Sequence, residues 1–158
     1  MSALAISPAG FSLLMHSQTG AAGEDADGLR RRQFAEVIQF PARQRLLQEL
    51  RALMSPGVVE DWYGLDAFSI SQQAAREVTG FLTDLPASSL DLEISPDRDG
   101  GITLDWYRRE DRQLSITLDG NGQLYYAAIL GPLERVSGRL PFYGSVPEEI
   151  IRILQRMA

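Results

Sequence analysis

The chain has no cysteine, no lysine and a single histidine. Without cysteine there is no disulfide framework, no thiolate metal site and no cysteine nucleophile, and cysteine usage says nothing of the compartment. All fifteen basic residues are arginine. Schiff-base chemistry, a P-loop and the carboxylate-lysine nuclease motif are therefore excluded together. His16 has no Cys, His or carboxylate at ligand spacing and reads as an incidental residue rather than a ligand or base. A serine triad would lack its histidine unless His16 were recruited. No stretch approaches the roughly 20 apolar residues of a bilayer span, and Met1 to Ile6 carries none of the Lys or Arg of a secretory n-region. G-x-S-x-G, H-E-x-x-H, G-x-x-x-x-G-K and G-x-G-x-x-G in a strand-turn-helix setting are all missing.

What is present is ordinary globular composition in 158 residues, about one domain's worth, with a net charge of -6. That sign argues against a general nucleic-acid binder, whose affinity comes from neutralising phosphates. Residues 1-28, rich in Ala, Ser and Gly, read as a loosely ordered tail, and residues 29-158 as one domain. Arg30, Arg31 and Arg32 form a short basic cluster with no aromatic or further basic extension, which reads as a solvated start to a helix.

Helical spacing comes first along the chain. Phe34, Val37 and Ile38 share one face before Pro41, and Leu46, Leu47, Leu50, Leu53 and Met54 then repeat at i, i+3/i+4, i+7. Arg43, Arg45, Glu49 and Arg51 fall mainly on the other, solvated face, and Ser55-Pro56-Gly57 supplies the stop. An aromatic loop, Asp61 to Ala67, follows. Ser69 and Gln72 fit a capping box, after which Ala75, Val78, Leu82 and Leu85 form a second apolar stripe that Pro86 ends. These two helices should pair, with Trp62 and Tyr63 over their junction or exposed as a contact surface.

Strand alternation takes over at Leu90. Leu90, Leu92 and Ile94 alternate with polar residues, as do Ile102, Leu104 and Trp106, and Leu114, Ile116 and Leu118. Asp97 to Gly101 and Asp119-Gly120-Asn121-Gly122 read as turns. Leu124 to Leu130 is apolar on both faces, which suits the middle of a packed sheet or contact with a partner. Leu133 to Phe142 gives a fifth strand, confined to an edge by Pro141. Ser145-Val146-Pro147-Glu148 then starts a last helix with Ser145 as cap, and Ile150, Ile151, Leu154 and Met157 are its buried stripe. The expected fold is α+β: an antiparallel meander of four to five strands with two preceding helices and one C-terminal helix packed on one face.

Two turns invite a calcium reading. Counting from Asp97 or Asp119, the twelfth position holds Arg108 or Leu130 instead of the bidentate Glu, so both read as hairpins. Asp91, Glu93 and Asp105 form a geometrically possible carboxylate cluster for a cation or an acid-base pair. Alternating acids on the wet face of a sheet are expected without any such role.

The loop Trp62-Tyr63-Gly64-Leu65-Asp66-Ala67, the helix ending at Leu85-Pro86 and the strand Asp99-Gly100-Gly101-Ile102-Thr103-Leu104-Asp105-Trp106 together resemble a group of small uncharacterised bacterial proteins. That group carries a W-D-G-Y-G-A loop, a helix ending in L-P and a D-G-G-I-x-L-E-W strand. Tyr63 and Asp66 depart from the loop pattern, and Asp105 replaces its Glu. The resemblance implies a shared domain from about Leu46 to Leu130 and implies no activity.

By elimination, the expectation is a non-enzymatic, cytoplasmic protein without cofactor or metal that binds another protein, such as an antitoxin, immunity or inhibitor partner. Trp62, Tyr63, Asp105 and Tyr107 are the contact candidates. The alternatives are a metal-dependent hydrolase built on Asp91, Glu93 and Asp105, and a nucleic-acid-facing regulator using Arg30 to Arg32 or an acidic nucleic-acid mimic. Neither a membrane nor nucleic acid is the expected partner.

Overall fold

Period-two alternation builds a five-stranded sheet whose neighbours are all sequential and antiparallel. The computed structural model describes residues 41-55 and 69-158, all within the compact unit Ala35–Ala158. Its strands are β1 (Glu93–Pro96), β2 (Ile102–Arg109), β3 (Arg112–Leu118), β4 (Gln123–Gly131) and β5 (Glu134–Pro141). Three helices are described: α1 (41-53), α2 (Gln72–Asp84) and α3 (Glu148–Met157). The sequence-derived α+β meander, with helices before and after it, is the observed fold. The tail 1-28, His16, Arg30 to Arg32, Phe34 to Ile38 and the Trp62 loop lie outside the described residues.

One face of the sheet holds Ile102, Leu104 and Trp106 from β2, Leu114, Ile116 and Leu118 from β3, and Leu124, Tyr126 and Ala128 from β4, all buried. The helices cover that face, α2 against β2 and β3 and α3 against β3 and β4. Phe81 of α2 stacks obliquely between Trp106 and Phe142, with ring centroids 6.4 and 5.9 Å away. The buried indole N–H of Trp106 donates to the Ser89 carbonyl at 2.7 Å, so the largest core side chain leaves no polar group unsatisfied.

Several helix details differ from the sequence reading. Ser71, not Ser69, caps α2, accepting from the amides of Gln73 and Ala74. Ile70 is buried and outside the helix, which starts two residues later than the 69-72 box requires. Ala74 and Phe81 join the α2 stripe while Ala75 is half-buried. Arg43 is not on a solvated face: its Nε and Nη2 donate to the carbonyls of Leu82 and Leu85 at 3.0 and 2.8 Å. The guanidinium fork thereby satisfies carbonyls that the end of α2 leaves open. In α3 the cap position is Pro147 and no side chain caps it. Ser145 is too early, because the Val146 amide is turned to the Asp84 carboxylate (2.8 Å). Ile153 is buried in α3, and Ile151 is half-buried.

The N-terminus of α2 is held between two hairpin tips. The Ser71 amide donates to the Gly100 carbonyl at 2.9 Å. Glu77, buried one turn into α2, accepts from the amides of Gly120 and Gly122 at 3.1 and 3.0 Å, one on each carboxylate oxygen. Gly120 has φ +78°, and a Cβ there would lie 2.8 Å from the Ala74 nitrogen. Glycine is required twice over, by conformation and by approach.

Candidate functional site

Every strand presents its second set of side chains to the face opposite the helices. The register sets Glu93, Asp105, Ser115, Ala127 and Ser137 in one row across all five strands. Beside it run Tyr107, Gln113, Ile129 and Arg135, and at the other end Thr103, Thr117, Tyr125 and Arg139. The first two rows line a shallow groove of about 780 Å³. Its middle is low because Ser115, Ala127 and Ser137 are small.

Charge divides this face. Glu93 and Asp105 stand directly opposite each other on β1 and β2, while Arg135 and Arg139 belong to β5. Three strand spacings, about 14 Å, separate Asp105 in β2 from the β5 arginines. None of the four takes part in an ion pair among the described residues. Like charges directly across a strand pair are destabilising by some tenths of a kcal/mol. Two tyrosines stand on the same face, Tyr107 with 63 % and Tyr125 with 42 % of its surface exposed.

Of the sequence-derived contact residues, Asp105 and Tyr107 are brought together on this face, two residues apart on β2. Trp62 and Tyr63 lie outside the described residues. The sequence reading missed Tyr125, Ala127 and Ile129 of β4 and Arg135 and Arg139 of β5. The available signals were the two-sided apolarity of β4 and the alternation Arg135, Ser137, Arg139.

The carboxylate triad does not assemble. Asp91 precedes β1 and is bound by Arg108 at 2.6 Å. Among the described residues no group of three or more His, Cys, Asp or Glu is placed to hold a metal ion. The suspected calcium-type turn at Asp119 spends its carboxylate on its own backbone, Oδ1 accepting from Asn121 at 2.8 Å and Gln123 at 3.4 Å. It is an Asx turn that closes a hairpin.

A smaller cavity of about 230 Å³ lies between the end of α3 and β2, lined by Ser89, Trp106, Arg108, Leu154 and Met157 among others. Arg108, its one cation, is already paired with Asp91. No described helix is long and apolar enough to cross a membrane. No protein-family model, curated protein or solved structure matches the chain.

Proposed function

We propose that the chain is a non-catalytic protein-binding module, of the antitoxin, immunity or inhibitor type, which engages its partner with the outer face of the sheet. The observation that carries this reading is β4. Tyr125, Ala127 and Ile129 alternate with the core residues Leu124, Tyr126, Ala128 and Leu130, and the helices lie on the opposite side. A strand with two apolar faces ordinarily has both covered. Here a partner supplies the second cover.

The charges of the face suit recognition. Glu93 and Asp105 repel one another until a cation is set between them, and Arg135 and Arg139 wait for anions. A partner with the reverse polarity docks in one orientation. Tyr107 and Tyr125 provide amphipathic contact area of the kind enriched at interfaces.

A photo-crosslinking benzoylphenylalanine tests this at two positions. In a lysate of the native host, the probe in place of exposed Ala127 is expected to capture one protein, and the probe in place of exposed Arg152 on α3 is not. With that pair purified, the combined change Asp105→Arg and Tyr107→Ala should weaken binding at least about tenfold. Equal capture from both faces, or an unchanged affinity, would refute the proposal.

A further inference from the structure

Among the described residues the sheet ends at β5, and the register fixes which backbone groups point outward. The Phe142 amide donates to the Gly122 carbonyl at 2.8 Å, in phase with the pairs Leu124↔Leu140, Tyr126↔Gly138 and Ala128↔Val136. Antiparallel pairs alternate between exchanging both backbone bonds and exchanging none. The even-numbered residues therefore bond β4, and Arg135, Ser137 and Arg139 turn their N–H and C=O groups to the open edge. Pro141 falls in the outward phase, where a missing N–H costs no ladder bond.

The same three residues place their side chains on the outer face, so the open edge is basic in a chain of net charge -6. Among the described residues Arg135 and Arg139, like Arg43, Arg51, Arg76, Arg98 and Arg112, take part in no ion pair. Leu133 and Tyr143 flank the strand with 99 % and 89 % of their surface exposed. A charged edge strand ordinarily blocks self-association. Pairing β5 with itself about Ser137 would bring Arg135 face to face with Arg139 of the second copy, a like-charge contact that disfavours it. Those charges disfavour a copy of this chain and suit an acidic strand.

We propose that β5 accepts an extended acidic segment of another protein as a sixth, antiparallel strand, with carboxylates four residues apart opposite Arg135 and Arg139. Backbone bonds to Arg135, Ser137 and Arg139 would supply much of the affinity, and the two ion pairs the selectivity. The inference rests on the protein-binding reading above and names the chemistry of the partner segment.

The probe is a labelled nine-residue peptide, TVEVTVEVT, titrated into the full chain. Its expected signature is saturable binding with amide shifts centred on Arg135, Ser137 and Arg139. The lysine counterpart TVKVTVKVT should bind about tenfold more weakly, and the acidic peptide N-methylated at positions 3, 5 and 7 should not bind. The double reversal R135E/R139E changes only exposed residues and should exchange the preference for acidic and lysine peptides. Equal binding of both peptides, unimpaired binding of the N-methylated one, or tighter binding of a nine-nucleotide oligothymidylate would overturn the inference. Capture from position 127 together with failure of the acidic peptide removes the edge site and leaves the protein-binding reading intact.

Discussion

Glu77 shows how one side chain decides the geometry of a distant turn. It is a charged residue on the buried side of α2, where periodicity asks for an apolar one, and its two oxygens satisfy Gly120 and Gly122 across 43 and 45 residues of sequence. Glu77→Ala leaves both amides without their acceptor and should cost about 2–3 kcal/mol. Glu77→Gln keeps one acceptor oxygen and should cost about half as much, an ordering that urea unfolding midpoints will reveal. Tyr126 is a second such residue. Its hydroxyl donates to the Glu149 carboxylate, and this bond first, then burial, then the negative charge of Glu149, raise its pKa above the ordinary 10.0. A raised tyrosine pKa means that folding favours the neutral hydroxyl. Its contribution is complete below pH 10.0 and is lost as pH rises through the folded-state value. Melting temperature should therefore fall through the alkaline range, and Tyr126→Phe should flatten that part of the decline.

Elements were legible where period alone defines them. Four strands follow the alternation of Ile102, Leu104 and Trp106 and its successors closely, because a buried face specifies register strongly. The strand β1 begins only at Glu93, since Leu90 closes the 3-10 turn Ala87–Ser89, and of Leu90, Leu92 and Ile94 only Ile94 lies in the strand. Helix ends were less legible. Which serine caps α2 depends on Ile70 being drawn into the core and on the Ser71 amide finding Gly100, both tertiary events. The local pattern sets Arg43 on the solvated face for the same reason: a fork that reaches the end of another helix leaves no local signal. Arg43→Ala should lower stability by about 1–2 kcal/mol and Arg43→Lys by nearly as much, since an ammonium does not reproduce the planar pair of donors. Arg45→Ala, whose side chain is 57 % exposed beside Glu49, should stay within about 0.5 kcal/mol. Thermal melts of the three variants separate these cases. Gly138 on β5 belongs to this scale too, since a Cβ there would lie 2.8 Å from the Tyr126 hydroxyl. The edge strand leaves room for a ring that reaches across to α3.

At the scale of the molecule, the described residues form an asymmetric layer: helices on one side of a sheet, and a charge-divided face on the other. The sequence carried the first half of that statement in its apolar stripes. It carried the second only as an anomaly in β4, because a strand with two apolar faces does not reveal whether a helix or a partner covers the second. The candidate face was half legible, through Asp105 and Tyr107. Arg135 and Arg139 gain meaning only once β5 is known to be the edge and its outward phase is counted. The carboxylate reading failed at Asp91, which precedes β1 and is drawn to Arg108.

The clamp on the N-terminus of α2 also bears on how the molecule opens. Hairpin tips ordinarily fray first, and their amides exchange with solvent through small local fluctuations. The amides of Gly120 and Gly122 are instead tied to a helix that is locked into the core through Phe81, Val78 and Leu82. Releasing either one means separating α2 from the sheet. In deuterated water, both should exchange as slowly as the β3 amides and with the same denaturant sensitivity, so that a tip on the surface reports the free energy of global unfolding.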